Sequence, residues 1–208
     1  MNIEPKMIRI CLWPSCLVGL FITDILSLDC NLLNVHLSIV TWQNLRLLSS
    51  MSNSFPVECL REIEDFELPQ EILSYTQPVK KDIKEVFYEM YIQAFNILNQ
   101  YTFKSTWEEK CLKQILIRLD WQIQYLERCL EEEEKENEDM KQIKENEINY
   151  SGASVPQLNN LELRRYFNRI ENFLKDKKYS YCAWEIVRIE IRRCFYYFQK
   201  FTALLKRK

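Results

Sequence analysis

Few residues in this chain have the type and spacing to do chemistry at neutral pH. His36 is the only histidine. It lies within an amphipathic pattern, and no serine or cysteine motif accompanies it. Activating a nucleophile needs a positioned base, so His36 reads as an ordinary helix-surface or boundary histidine. Eight cysteines are present, yet none has CxxC spacing and no HExxH pair occurs, the arrangements that hold zinc. In "YSYCAWEIVRIEIRRC" (Tyr179–Cys194), Cys182 and Cys194 would lie about 18 Å apart along one helix. A disulfide needs α-carbons within about 7 Å, so these two cannot pair with each other or share a metal. The acids Glu131–Glu134 form a surface run with nothing nearby to perturb them. Gly19 and Gly152 are the only glycines, which argues against phosphate-cradling loops and primed hairpin turns. No catalytic residue, metal or cofactor is expected.

The elements that position the remaining features are helical. The length, 208 residues, suggests one domain. A net charge of −2 exerts no general pull toward nucleic acid. At the N-terminus, Lys6 and Arg9 precede the apolar run "ICLWPSCLVGLFI" (Ile10–Ile22), too short for an ordinary membrane-spanning helix. Residues 1–27 therefore read as a secretory signal peptide ending at Ser27, and 28–208 as a single mature domain; an uncleaved signal anchor is the alternative. Removal of the signal leaves Cys30, Cys59, Cys111, Cys129, Cys182 and Cys194, an even set suited to bridges in an oxidising compartment, whose connectivity spacing alone cannot choose.

Pro56, Pro69, Pro78 and Pro156 fall where helical periodicity fails, as expected of a residue costing about 3 kcal/mol in a helix interior. Between them, apolar spacing predicts helices over about 31–50, 80–101, 107–132, 158–177 and 181–205. The acidic stretch after residue 132 reads as a mobile loop or frayed helix extension. It ends in Asn149-Tyr150-Ser151, an N-glycosylation acceptor triplet. Two long connections, 51–79 and 133–157, predict an all-α fold, an up-up-down-down helical cytokine bundle of five helices with overhand connections after the first and third helices.

On the fifth helix, Trp184, Val187, Ile191, Cys194, Phe195 and Phe198 share the arc expected to face the core. Arg188 and Arg192 lie just beyond it. Ile189 and Tyr196, then Ile186, Arg193 and Tyr197, should face solvent, yet they mix aliphatic, aromatic and arginine side chains. That mixture is common at the centre of protein interfaces.

"KDKKYSYCAWEIVRIEIRR" resembles the last-helix signature of the type I interferons, and "ECLREIEDFELPQEIL" (Glu58–Leu73) resembles their first long loop. "LRRYFNRIENFLKDKKYS" and "EMYIQAFNIL" are similar to their equivalents, so the resemblance covers essentially the whole mature chain. It implies the bridges Cys30–Cys129 and Cys59–Cys182, leaving Cys194 as a buried thiol and Cys111 as a candidate exposed one. It also implies a monomeric secreted cytokine that brings together the two chains of the interferon alpha/beta receptor and triggers JAK-STAT antiviral signalling. The high-affinity chain would meet Leu60, Arg188, Ile189, Arg192 and Arg193; the low-affinity chain would meet Phe95, Asn96 and Arg164. Ile63 stands where alpha interferons carry an arginine, and Leu116 and Asp120 replace aromatic contact positions. The competing reading is a helical factor retained at the cell surface, either by its signal or by acidic glycans bound to Lys80, Lys81, Lys84, Lys206, Arg207 and Lys208.

Overall fold

The computed structural model describes residues 30–52, 54–69, 80–101, 107–143 and 155–205. The signal segment 1–27, Asn149 and the cations Lys206, Arg207 and Lys208 lie outside the described residues, as do the side chains of Lys80 and Lys81.

Among the described residues every regular element is a helix: α1 (Leu33–Ser50), α2 (Lys80–Asn99), α3 (Glu109–Ile143), α4 (Val155–Asp176) and α5 (Tyr181–Leu205). A short 3-10 turn, Cys30–Leu32, precedes α1, and a longer one, Val57–Glu62, lies within the first connection. Paired contacts fix the relative directions. His36 meets Gln122 while Gln43 meets Arg118, so α1 and α3 run antiparallel. Ser38 meets Gln199 while the Leu48 carbonyl meets Arg188, so α1 and α5 do too. Lys84 reaches Glu133 while Tyr88 reaches Glu127, which sets α2 against α3. Hence α1 and α2 point one way and α3 and α5 the other, an up-up-down-down core, with α4 packed beside α2 as the fifth helix.

α3 is longer than its apolar pattern predicts. It continues past residue 132 to Ile143, so of the two readings of the acidic run, a mobile loop or a helix extension, the extension holds through Ile143. Glutamate and lysine are good helix formers, and Glu131 precedes Lys135 at the favourable four-residue spacing. α4 begins at Val155 and takes Pro156 into its first turn, where no backbone bond is lost. Between α4 and α5 the chain reverses through Lys178 and Tyr179, both left-handed at φ 51° and 54°. This conformation costs about 1 kcal/mol or more per non-glycine residue. Closure of α4 compensates: the Tyr179 N–H donates to the Leu174 carbonyl at 2.8 Å, and the Lys178 N–H to that of Lys175 at 3.0 Å. Ser180 then caps α5, its hydroxyl accepting from the Ala183 N–H at 3.2 Å.

The interior is rich in aromatic rings. Phe87 meets Phe198 edge-on at 4.9 Å, and the buried Tyr91 hydroxyl pairs with Thr41 at 2.9 Å. Asn44, fully buried on α1, has neither amide atom hydrogen-bonded. Between described residues two bridges tie the bundle, Cys30–Cys129 and Cys59–Cys182. Each closes a loop of about 100 residues or more, for which the chain-entropy relation gives about 4.7 kcal/mol. Cys194 is the free cysteine among the described residues and is buried. Cys111 is not an exposed thiol: it is disulfide-bonded, and it lies fully buried with Leu112, Ile115 and Leu119 on the core face of α3.

Candidate functional site

The 3-10 segment of the first connection packs against α5. Two ties join this stretch of chain to α5. Cys59 is bonded to Cys182 in the first turn of α5, and Asp65 forms an ion pair of 3.4 Å with Arg193 three turns further along. Leu60 and Ile63 lie between the ties, 52% and 59% exposed, with Val57 exposed just before them. Arg192 and Tyr196 are exposed on α5, Ile189 and Arg193 are half-buried, and the Lys200 ammonium sits 4.5 Å from the Tyr196 ring centroid. The result is an apolar patch bordered by guanidinium groups, held on a rigid helix.

Arg188 does not belong to that surface. Its side chain is 6% exposed. It donates to both the Glu185 carboxylate, at 2.9 Å through Nη2, and the Leu48 carbonyl, at 3.1 Å through Nη1. That carbonyl is one of the last in α1, where a cation complements the helix dipole. Glu185 also accepts from the Trp107 indole N–H at 2.5 Å. The network ties the end of α1 and the start of α3 to α5, so the expectation that Arg188 touches a partner is corrected to a buried structural role. Ile186 is likewise buried, on the flank of α5 between the two ties, and Tyr197 is partly buried against the core.

A second network supports the patch from α4. The Tyr166 hydroxyl donates to Glu190 at 2.9 Å, and Arg193 shares itself between Glu190 at 3.3 Å and Asp65. Burial raises the Glu190 carboxyl above its ordinary range, while the Tyr166 hydroxyl and Arg193 work against the rise. Asp65 is held below its ordinary range, first by the Glu67 N–H and then by Arg193. Burial also pushes the nearby Cys194 thiol far up, leaving it protonated and inert.

The second predicted face lies along α2 and α4. Asn96 is exposed, and Phe95 is half-buried against the core. Arg164 is 58% exposed, but its guanidinium is engaged by both oxygens of the buried Glu89 at 2.8 and 2.7 Å. Its charge is therefore presented in one orientation. Leu116 and Asp120 are half-buried on α3, with Asp120 accepting from Gln124 at 2.9 Å. Lys84, expected among free glycan-binding cations, is instead 11% exposed and paired with Glu133 at 2.7 Å.

His36 pairs with Gln122 at 3.0 Å and meets the Tyr125 ring edge-on. Burial lowers its pKa. Among the described residues no group of histidine, cysteine and acid side chains could hold a metal. None of the described helices is long and apolar enough to cross a membrane. Helical periodicity gave no warning of the Glu185–Arg188 pair or of the contacts Arg169 makes with the Phe66 and Glu67 carbonyls. The only available signal was the three-residue spacing of Glu185–Arg188 and Glu190–Arg193 on one helix.

Comparison with known proteins gives four consistent findings. A family model described as the interferon alpha/beta domain matches residues 33–205. The chain is 69% identical to human interferon kappa over the whole of both proteins. It is 33% identical to human interferon beta, over 94% of this chain and 97% of that one. Among solved structures, zebrafish interferon 2 superimposes with a TM-score of 0.63 at 18% identity, covering 78% of this chain and 96% of its own, a likeness of fold alone.

Proposed function

The chain belongs to the interferon alpha/beta family, and from that premise we propose that it is a secreted type I interferon binding and bringing together the two chains of the interferon alpha/beta receptor, with JAK-STAT antiviral and immunomodulatory signalling as its output. The family is one of cytokines, not enzymes. In this reading Leu60, Ile189, Arg192 and Arg193 meet the high-affinity chain. Phe95, Asn96 and Arg164 meet the low-affinity chain, and Arg188 acts from beneath by fixing α5. Glycan at Asn149 would accompany secretion.

The observation that carries the reading is the apolar patch at Leu60 and Ile63, tied to α5 at both ends beside exposed arginine. Aliphatic anchors with arginine at a preorganised surface are typical of interface centres, because little ordering entropy remains to be lost on binding. The second face includes Arg164, which α4 holds against Glu89 of α2 and away from Leu60 and Ile63; in this reading the two receptor chains use separate surfaces. Surface plasmon resonance of refolded residues 28–208 on each receptor ectodomain tests this directly. Both should bind, the high-affinity chain more weakly than it binds an alpha interferon because Ile63 lacks the guanidinium. Binding to neither would overturn the reading, and nanomolar or tighter binding to the high-affinity chain would overturn the expected weakness.

A further inference from the structure

Residues 63–69 follow the 3-10 turn with no regular secondary structure, and they form no backbone–backbone hydrogen bond with the described residues. Side chains hold them instead. Phe66 and Leu68 are buried, with Phe66 meeting Phe173 of α4 edge-on at 5.2 Å. The Asp65 carboxylate accepts from the Glu67 N–H at 3.1 Å, closing a turn in which Glu67 takes a left-handed φ of 51°. Such a conformation persists only where its surroundings over-determine it. The Phe66 carbonyl lies part-buried beside that ring, and the Glu67 carbonyl follows it nearer solvent. Both are taken by one side chain: Arg169 of α4 donates through Nε to the Phe66 carbonyl at 3.0 Å and through Nη2 to that of Glu67 at 3.1 Å.

We infer that Arg169 is a positioning residue for the high-affinity face: without belonging to that face, it fixes the backbone that presents Leu60 and Ile63 and keeps Asp65 beside Arg193. This rests on the receptor reading above. Arg169 and Arg164 are five residues apart on α4, about 140° around the helix axis. The two sides of α4 thus serve the two proposed faces separately: Arg164 is paired with Glu89 on α2, and Arg169 is clamped to the first connection. A planar guanidinium suits this task because its donors point at two acceptors in a fixed fork, which a lysine ammonium cannot reproduce. The two disulfides and the packed core close the bundle independently of the clamp.

The test compares the full mature chain with Arg169→Ala and Arg169→Lys, using hydrogen exchange of the 64–68 amides and binding to both receptor ectodomains. Arg169→Ala should speed exchange at 66–68 and weaken high-affinity-chain binding by about tenfold or more, mostly through faster dissociation. Arg169→Lys should fall between, while low-affinity-chain binding and the far-ultraviolet spectrum stay as in the wild type. Unchanged loop exchange, or equal losses for both receptor chains, would overturn the inference. Failure of the wild type to bind either ectodomain would instead overturn the receptor reading, and the exchange measurement would still decide whether Arg169 holds the loop.

Discussion

Arg188→Ala separates a buried strut from a contact residue. In the native fold the guanidinium neutralises Glu185, which is fully buried, and satisfies the Leu48 carbonyl at the end of α1. Truncation leaves a carboxylate away from water with only the Trp107 indole as donor, and leaves that carbonyl without its partner. Removing one member of a buried pair costs about 3–5 kcal/mol. For a domain of this size 1 kcal/mol moves the midpoint by about 2–4 °C, so the loss is roughly 6–20 °C. Thermal and urea denaturation followed by circular dichroism would read it. Neutralising both partners, as Glu185→Gln with Arg188→Met, keeps an acceptor for Trp107 and should restore most of the stability, because the stranded charge is gone. An Arg188→Ala protein that melts like the wild type yet loses receptor affinity would refute the reasoning and return Arg188 to the interface.

Asn44→Leu removes a buried amide whose two polar atoms have no partner and keeps the same branched arrangement of heavy atoms. It should stabilise by about 1–3 kcal/mol in urea denaturation, and destabilisation would show that the amide is satisfied by internal water. Ile63→Arg should strengthen high-affinity-chain binding by at least threefold by surface plasmon resonance, an order-of-magnitude figure for one charge-assisted contact, without changing low-affinity-chain binding. Glu190 has its native pKa raised above the ordinary 4.5, so the folded state binds more protons than the unfolded one across that interval. Wild-type stability relative to Glu190→Gln should therefore fall as pH rises from about 4.5 through the native value; a relative rise over the same window would contradict the burial described.

Much of the fold is legible because long helices repeat one rule. Ile83, Val86, Phe87, Met90, Ala94 and Ile97 follow the three-four spacing on α2, and all are buried. The extent of α3 is not legible this way, because its last turns are helical by propensity and carry no apolar stripe to mark them. The candidate site is legible in part. Leu60, Ile63 and Arg192 are exposed as their positions imply. Arg188 and Ile186 are not, because helical periodicity cannot tell which flank a neighbouring segment will close. Arg169 is invisible for a related reason: its partners are backbone carbonyls in a segment more than 100 residues earlier.

That separation has a consequence for how the molecule is made. Residues 59–67 leave the ribosome early, but the groups that hold them arrive late: Arg169 for Phe66, Cys182 for Cys59 and Arg193 for Asp65, at separations of 103, 123 and 128 residues. Until α5 has been synthesised, folded back and oxidised, this loop has neither the Cys59–Cys182 bond nor the Asp65–Arg193 ion pair. A chain released short of its last helix therefore lacks both of the first loop's ties to α5, and their formation reports that synthesis and oxidative folding are complete.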